Sequence, residues 1–163
     1  MKKMIWTAGA VVILDQLVKA FVKSTMKLFE TIPVIKGLFN ITFIENRGIA
    51  FGIFGQGNEF VKRWLLLLVV AAAMLVIIVY WFLNYTDALI YNISCGLILG
   101  GAFGNFIDRL LMGYVVDFIE VGYGKWSFPV FNLADSAVTC GVILFAWFTL
   151  FHKEVPLNAS HTS

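Results

Sequence analysis

The stretch WLLLLVVAAAMLVIIVYWFL occupies residues 64–83 and contains no charged side chain. A helix needs about 20 predominantly apolar residues to cross the hydrocarbon core of a bilayer. This run therefore predicts a membrane span over residues 63–83. Three more segments have similar length and apolar character, so the sequence predicts four spans in all. The other three are residues 4–23, 88–108 and 133–152.

The composition supports the same class of protein. Of 163 residues, 60% are hydrophobic and 13% are charged, and the mean hydropathy is +0.87. These values are typical of an integral membrane protein, and the length leaves room for one domain over residues 1–163. The net charge of +2 gives no argument for binding nucleic acid. The first apolar run contains Asp15 and Lys19 and has no clear small-x-small cleavage site, so we expect a retained span.

The connections between the spans differ greatly in length. Residues 84–87 form a very short turn, whereas residues 24–62 and 109–132 form long loops, which four spans place on one side of the membrane. Lysines near both termini favour cytoplasmic termini, but basic residues also crowd the first long loop. Charge alone therefore leaves the orientation open.

Both long loops contain strand-like segments. Apolar and polar residues alternate over residues 39–43, which is the pattern of a half-buried strand. Residues 115–121 are rich in β-branched and aromatic side chains and precede a glycine-containing turn and residues 126–130. This order predicts a hairpin. We therefore expect an all-α membrane protein of four helices that carries a small sheet at one membrane surface.

Asp117 and Asp135 are the strongest candidates for chemistry. Ionisable groups within or beside membrane spans are costly and usually functional. Two carboxyl groups brought together are the minimum requirement of an aspartic protease. Asn132 and Asp135 also fit the first and fourth positions of a capping box that opens the fourth helix. A helix N-terminus favours an ionised Asp135, which would leave the proton on Asp117, although coupled titration leaves that assignment open.

Two patterns on the first and third spans have structural explanations. Asp15 and Lys19 are four residues apart and share a helix face, where an ion pair neutralises both charges and can also orient a polar site. Gly96, Gly100 and Gly104 form a stripe of small residues that allows helices to approach closely.

Polar residues also end the third span and lie in the first long loop. Asp108 and Arg109 fit an interfacial ion pair, whereas Asn105 and Arg109 together fit a site for substrate carbonyls. Asn46 and Gly48 fit an ordinary turn.

The sequence predicts no metal or cofactor. Cys95 and Cys140 fall inside apolar segments and lack the spacing of a zinc site, so we interpret them as small packed side chains. His152 and His161 lie at the far C-terminal end, which disfavours a cysteine nucleophile. A metal bridged by the two aspartates alone stays open.

Five sequence blocks together resemble the lipoprotein signal peptidase (signal peptidase II) family. They match in order from the first span to the last, and their joint order and spacing are highly specific. Ile49 is a departure, because the family more often has alanine there. The blocks are DQLVK (15–19), NRGIAFG (46–52), GGAFGNFIDR (100–109), VVDF (115–118) and FPVFNLADS (128–136).

The resemblance implies a bacterial inner-membrane enzyme with cytoplasmic termini and both long loops, including the small sheet, outside the cytoplasm. Such enzymes remove the signal peptide of a prolipoprotein by cutting before a cysteine that carries diacylglyceryl. The resemblance makes Asp117 and Asp135 the catalytic pair. We expect membrane lipid and lipidated prolipoprotein as partners, and a monomer. Supporting roles fall on Asp15, Lys19, Asn46, Gly48, Asn105, Asp108, Arg109 and Asn132.

Two other classes of protein remain open from the residues alone. A small transporter or channel subunit would use Asp15, Lys19, Asp108 and Arg109 as an ion relay. A membrane scaffold would use only the glycine stripe. The polar residues cluster towards one membrane surface rather than through the bilayer, which favours the enzyme.

Overall fold

The computed structural model of the chain describes residues 1–48, 59–123 and 126–151. Four helices in the described residues are long and apolar enough to cross a membrane, so this is a multi-pass membrane protein and the predicted fold is confirmed. Three parts of the predictions lie outside the described residues. They are the turn at residues 124–125, residues 49–52 of the second sequence block, and His152 with the tail that follows it. The helices are α1 (Lys2–Thr25), α2 (Glu59–Leu83), α3 (Leu89–Leu111) and α4 (Leu133–Phe151).

Glycines let α1 and α4 pack closely against α3. A Cβ atom on Gly100 would lie 2.7 Å from the carbonyl oxygen of Ala8 in α1. A Cβ atom on Gly101 would collide with the carbonyl oxygen of Ala134 in α4. Neither position has room for a real side chain, so these backbones approach closely only because glycine occupies both positions. The stripe predicted from the sequence is therefore a helix-packing surface.

Replacing Gly100 by alanine is expected to destabilise the protein. The added methyl group meets backbone atoms of Ala8, which cannot rotate away, and forced overpacking typically costs about 1–3 kcal/mol. Gly9→Ala is the matched control, because a Cβ there has no neighbour within 4 Å and the same gain in helix propensity applies. The measurement is thermal unfolding of both variants in detergent. Equal melting temperatures for the two variants would contradict the packing.

Four antiparallel strands form one sheet in the order β1-β2-β3-β4. The strands are β1 (Thr31–Ile35), β2 (Phe39–Asn46), β3 (Val115–Tyr123) and β4 (Trp126–Ser127). The hairpin of β3 and β4 and the strand over residues 39–43 confirm the prediction. β1 was not predicted. It is an edge strand that is exposed throughout, so no apolar–polar alternation marks it, and Pro33 interrupts its β-branched residues.

The sheet packs on the end of α1 and thereby positions the polar residues. Val22 of α1, Phe43 of β2, and Val116 and Phe118 of β3 form one buried cluster. Val116 and Phe118 flank Asp117, so packing fixes the strand that carries this carboxyl group. Since β3 follows α3 directly and Ile119 pairs with Phe131 just before α4, Asp117 lies beside the start of α4.

Candidate active site

Asp117 is a buried carboxyl group held by two amides. Its side chain lies on β3, and the residue is only 2% exposed. Its Oδ1 accepts a hydrogen bond from Asn132 Nδ2 at 2.7 Å, and its Oδ2 accepts one from Asn46 Nδ2 at 2.8 Å. Asn46 lies on the neighbouring strand β2, opposite Val115. The carboxyl group of Asp117 is thus hydrogen-bonded from the sheet on one side and from the start of α4 on the other.

Asp135 sits in the first turn of α4 and forms the predicted capping box with Asn132. The backbone N–H of Asp135 donates to Asn132 Oδ1 at 2.9 Å, and the backbone N–H of Asn132 donates to Asp135 Oδ2 at 3.2 Å. The other carboxylate oxygen, Oδ1, accepts a hydrogen bond from Asn105 Nδ2 at 2.8 Å. Both oxygens of Asp135 therefore accept N–H donors at the start of α4.

Asn132 connects the two carboxyl groups. Its side-chain Nδ2 bonds Asp117, while its Oδ1 and backbone N–H bond Asp135. The same Nδ2 lies 3.1 Å from Asn105 Oδ1, which closes a network across α3, β3 and α4. One fully buried asparagine therefore fixes the position of both aspartates relative to each other.

Burial raises the pKa of Asp117 to about 6, from the usual 3.8. Loss of solvation is the largest cause, and the negative charge of Asp135 adds to it. Hydrogen bonds from Asn46 and Asn132 and the positive charge of Lys19 oppose the rise. Asp117 therefore keeps its proton to a higher pH than an ordinary aspartic acid does.

This raised pKa predicts that stability falls as the pH increases. The folded protein binds this proton more tightly than the unfolded protein does. The contribution of Asp117 to the free energy of unfolding is therefore fully present below pH 3.8 and is lost as the pH rises through about 6. The change amounts to about 2 to 3 kcal/mol. It is measured as the difference in thermal stability between wild type and Asp117→Asn at pH 4 and pH 7. A difference that stays constant with pH would contradict the raised pKa.

A buried ion cluster lies beneath this network. The ammonium group of Lys19 contacts Asp15 Oδ2 at 2.7 Å and Asp108 Oδ2 at 2.8 Å. It also donates to Asn105 Oδ1 at 2.9 Å, so all three of its protons have acceptors. The predicted pair of Asp15 and Lys19 is present and extends to the residues around Asp135. Because Asn105 Oδ1 accepts from Lys19, its amide nitrogen must face Asp135.

Asp15 also caps α4 from a different helix. Its Oδ1 accepts the backbone N–H of Ala134, in the first turn of α4, at 2.9 Å. A Cβ atom on Gly104 would lie 2.7 Å from Asp15 Oδ2, so the glycine makes room for this carboxylate. The start of α4, which carries Asp135, is therefore tied to α1 through Asp15.

Gln16 belongs to the buried cluster of Asp15, Lys19 and Asp108, although the sequence predicted no role for it. Its Nε2 donates to Asp108 Oδ1 at 2.9 Å and to the carbonyl oxygen of Gly104 at 3.2 Å. The available indication was a polar amide next to Asp15 inside an apolar span. Gln16 is one position away from the face that Asp15 and Lys19 share, so helical periodicity did not include it.

Arg109 and Asp108 do not form the predicted ion pair. Asp108 bonds Lys19 instead, and within the described residues no carboxylate lies within 4.0 Å of Arg109. α3 continues to Leu111, so Arg109 lies in the last helical turn rather than in a loop. Its positive charge acts on Asp135, Asp117 and Asp108, in that order of strength. Arg109 is thus placed to influence both carboxyl groups without neutralising either.

Asp117 opens onto a surface cleft of about 480 Å³. Asn46 and Arg47 form one wall, and Pro129 and Val130 form another. Gly48 shapes the end of β2, because its φ of +71° suits glycine and its N–H bonds Asn46 Oδ1 at 2.8 Å. This turn orients the amide that bonds Asp117. The volume lies in the range of small-molecule and peptide sites, about 300–1,000 Å³.

Among the described residues, no group of three or more histidine, cysteine or acidic side chains is placed to hold a metal ion. The two cysteines are unpaired with each other, one buried at Cys95 and one exposed at Cys140. The described site therefore consists of carboxyl groups, amides and cations.

Comparison with known proteins identifies the same family across most of the chain. The family model for signal peptidase (SPase) II matches residues 7–151. The lipoprotein signal peptidase of Geobacillus kaustophilus is 45% identical over 85% of this chain and 87% of its own length. That of Halothermothrix orenii is 41% identical over 84% of this chain and 90% of its own length.

A solved structure agrees with the fold as well as the sequence. It is a bacterial membrane enzyme determined by the in meso method at 1.9 Å resolution, 37% identical to this chain, with a TM-score of 0.79. The match covers 94% of this chain and 96% of the solved one. Sequence blocks, family match and structural likeness coincide, and the chain belongs to the signal peptidase II family.

Proposed function

We propose that this protein is a membrane aspartic endopeptidase that removes the signal peptide from prolipoproteins. It cleaves before a cysteine that carries diacylglyceryl, and Asp117 and Asp135 are its catalytic pair. One observation carries the assignment of the pair. Asn132 joins the two carboxyl groups through hydrogen bonds of 2.7 to 3.2 Å, and one of them opens onto a cleft at the end of the helices. Membership of the family supports the substrate and the reaction class.

The two aspartates have different surroundings and different roles. Asp135 accepts two N–H donors at a helix N-terminus and acts as the general base. Asp117 has a pKa raised to about 6 and carries the shared proton. Asp135 takes a proton from a water molecule as the water oxygen attacks the scissile carbonyl. Asp117 hydrogen-bonds the carbonyl oxygen and gives its proton to the leaving amine as the C–N bond breaks.

The other polar residues position this pair. Asn105 and Asn132 orient Asp135, and Asn46, held by the turn at Gly48, orients Asp117. The Asp15, Lys19 and Asp108 cluster fixes the amide of Asn105. Arg109 supplies positive charge near both carboxyl groups, where a developing oxyanion or a substrate carbonyl would be stabilised.

The proposed location is the bacterial cytoplasmic membrane, with the site on the extracytoplasmic side and both termini in the cytoplasm. The described helices support one shared side, because the sheet, the end of α3 and the start of α4 meet there. Tyr123 and Trp126 are 82% and 85% exposed on the hairpin, as suits an aromatic belt at the bilayer interface. The acyl chains of the substrate stay in lipid, which sets the depth of the cysteine. We propose a monomer that needs no metal or other cofactor.

The test uses purified protein in detergent and a prolipoprotein with or without diacylglyceryl on its cysteine. Mass spectrometry of the products locates the cut. We expect cleavage of the lipidated form only, directly before the modified cysteine, and equal rates with and without a chelator. Cleavage elsewhere, or of both forms at equal rates, would contradict the substrate assignment, and inhibition by the chelator would contradict the metal-free reaction.

A further inference from the structure

A small basic pocket lies where the start of α2 meets the turn between α3 and β3, and it shares Arg47 with the cleft of Asp117. Its volume is about 260 Å³, and its lining includes two guanidinium groups. None of its described lining residues is acidic. The lining consists of Arg47, Phe60, Arg63, Met112, Gly113 and Tyr114.

Arg63 is held in place, and no carboxylate among the described side chains forms an ion pair with it. Its Nη2 donates to the carbonyl oxygen of Leu110, in the last turn of α3. Its Nε is buried and has no hydrogen-bond acceptor among the described residues. The guanidinium group rests over Gly113, whose φ of +80° turns the chain away from α3. A guanidinium group that is fixed in place at the edge of a pocket is well suited to binding a phosphate group.

The charges around the pocket sum to an excess of cations. Arg47 is 60% exposed and lies 3.8 Å from Glu45, which is a long and largely solvated contact. Lys23 adds a third cation, because its Nζ lies 5.8 Å above the ring of Tyr114. Tyr114 also lies near Glu45, whose negative charge helps to raise the pKa of Tyr114. Among the described side chains, an anion at the pocket would therefore meet three positive charges and one negative charge.

An apolar groove of about 540 Å³ runs between α1 and α2 within the membrane-spanning region. Every residue that lines it is apolar or glycine, including Ile13 of α1, Ile78 of α2, and Leu99 and Phe103 of α3. At Gly9 an added Cβ would meet nothing within 4 Å, so the groove is open along α1. Its shape and chemistry suit a hydrocarbon chain.

The pocket and the groove lie on the same face of α3. Leu99, Phe103 and Leu110 are spaced by four and seven residues, and such positions share a helix face. Leu110 supplies the carbonyl that holds Arg63, while Leu99 and Phe103 form the floor of the groove. Seven residues of helix correspond to about 10 Å, so the pocket is about that far above the groove.

We propose that an anionic phospholipid binds on this side of the protein, with its phosphate between Arg47 and Arg63 and one acyl chain in the groove between α1 and α2. The three cations favour a headgroup with net negative charge. A zwitterionic headgroup would bring its own positive charge to the pocket and is therefore disfavoured. The diacylglyceryl group of the proposed substrate contains no phosphate and would leave both guanidinium groups unused. The proposed lipid is thus a ligand distinct from the substrate, although its site shares Arg47 with the cleft of Asp117.

The test is native mass spectrometry of the purified protein mixed with phosphatidylglycerol or phosphatidylcholine. We expect wild type to retain phosphatidylglycerol at least about tenfold better than phosphatidylcholine, a difference of about 1.4 kcal/mol. The double variant Arg47→Gln, Arg63→Gln loses this preference. The control Lys36→Gln removes one exposed cation on the far side of the sheet and keeps the preference. If the double variant does not fold, Arg47→Gln alone, an exposed position, is expected to reduce the preference.

The groove is tested with Gly9→Phe against Gly9→Ala. The larger side chain enters the groove and is expected to reduce phosphatidylglycerol retention, while the alanine variant binds as wild type does. Several results would overturn the proposal. The first two are equal retention of both lipids by wild type, and unchanged lipid retention by the arginine variants. The other two are displacement of bound phosphatidylglycerol by inorganic phosphate alone, and its displacement by a dipalmitoylglyceryl peptide.

Discussion

Asp117→Asn is expected to abolish prolipoprotein cleavage while leaving a folded, membrane-inserted protein. An amide cannot supply the proton that the leaving amine requires, and loss of a positioned acid or base typically costs about 10²- to 10⁴-fold in rate. The asparagine is nearly isosteric and cannot ionise, so it avoids the costly buried negative charge that the raised pKa of Asp117 indicates. Inactivity combined with retained stability separates a catalytic role from a structural one.

The measurement is a gel-shift cleavage assay with purified variants and lipidated prolipoprotein. Asp87→Asn is the matched control, because Asp87 is an exposed carboxylate in the connection between α2 and α3, where it bonds Tyr85 at 2.6 Å. We expect the control to cleave at the wild-type rate. Substantial cleavage by Asp117→Asn would remove Asp117 from the reaction, and an unfolded Asp117→Asn protein would make its role structural.

Lys19→Met is expected to cause a large loss of stability. Without the ammonium group, Asp15 and Asp108 remain buried beside each other with no counterion, since both contact Lys19 at under 3 Å and are at most 1% exposed. Breaking a buried ion pair in this way typically costs about 3–5 kcal/mol. Asn105 also loses the contact that orients its amide towards Asp135, so cleavage should fall as well.

Thermal unfolding in detergent measures this effect. The control is Lys23→Met, which removes an exposed lysine one helical turn further along α1 and should change the melting temperature little. Adding Asp15→Asn and Asp108→Asn to Lys19→Met removes the uncompensated charges and should restore part of the stability. An unchanged melting temperature for Lys19→Met alone would show that the cluster contributes nothing to the fold.

The sequence predicted the elements whose signals are local. Membrane helices need long apolar runs, as in residues 64–83, and hairpins need a turn between strand-like segments. The capping box of Asn132 and Asp135 was also readable, because its hydrogen bonds join residues three apart. Asp15 and Lys19 pair within one helix and were found for the same reason.

Contacts between distant segments were harder to predict. One of two interpretations paired Asp108 with its neighbour Arg109, but helix packing brings Lys19 of α1 to Asp108 instead. The cap that Asp15 provides to Ala134 joins residues 119 positions apart, and no local pattern encodes it. β1 was missed because it is a short, exposed edge strand with a proline. Each of these contacts or elements depends on tertiary packing rather than on a local sequence pattern.

The most direct test of the catalytic pair compares three variants in single-turnover cleavage of lipidated prolipoprotein: Asp117→Asn, Asp135→Asn and the double variant. Residues that act as one unit give strongly non-additive effects. If the two carboxyl groups share one proton and perform one reaction, each single variant will be as inactive as the double variant. A folded Asp135→Asn protein that cleaves at a rate near wild type would contradict the assignment of the pair.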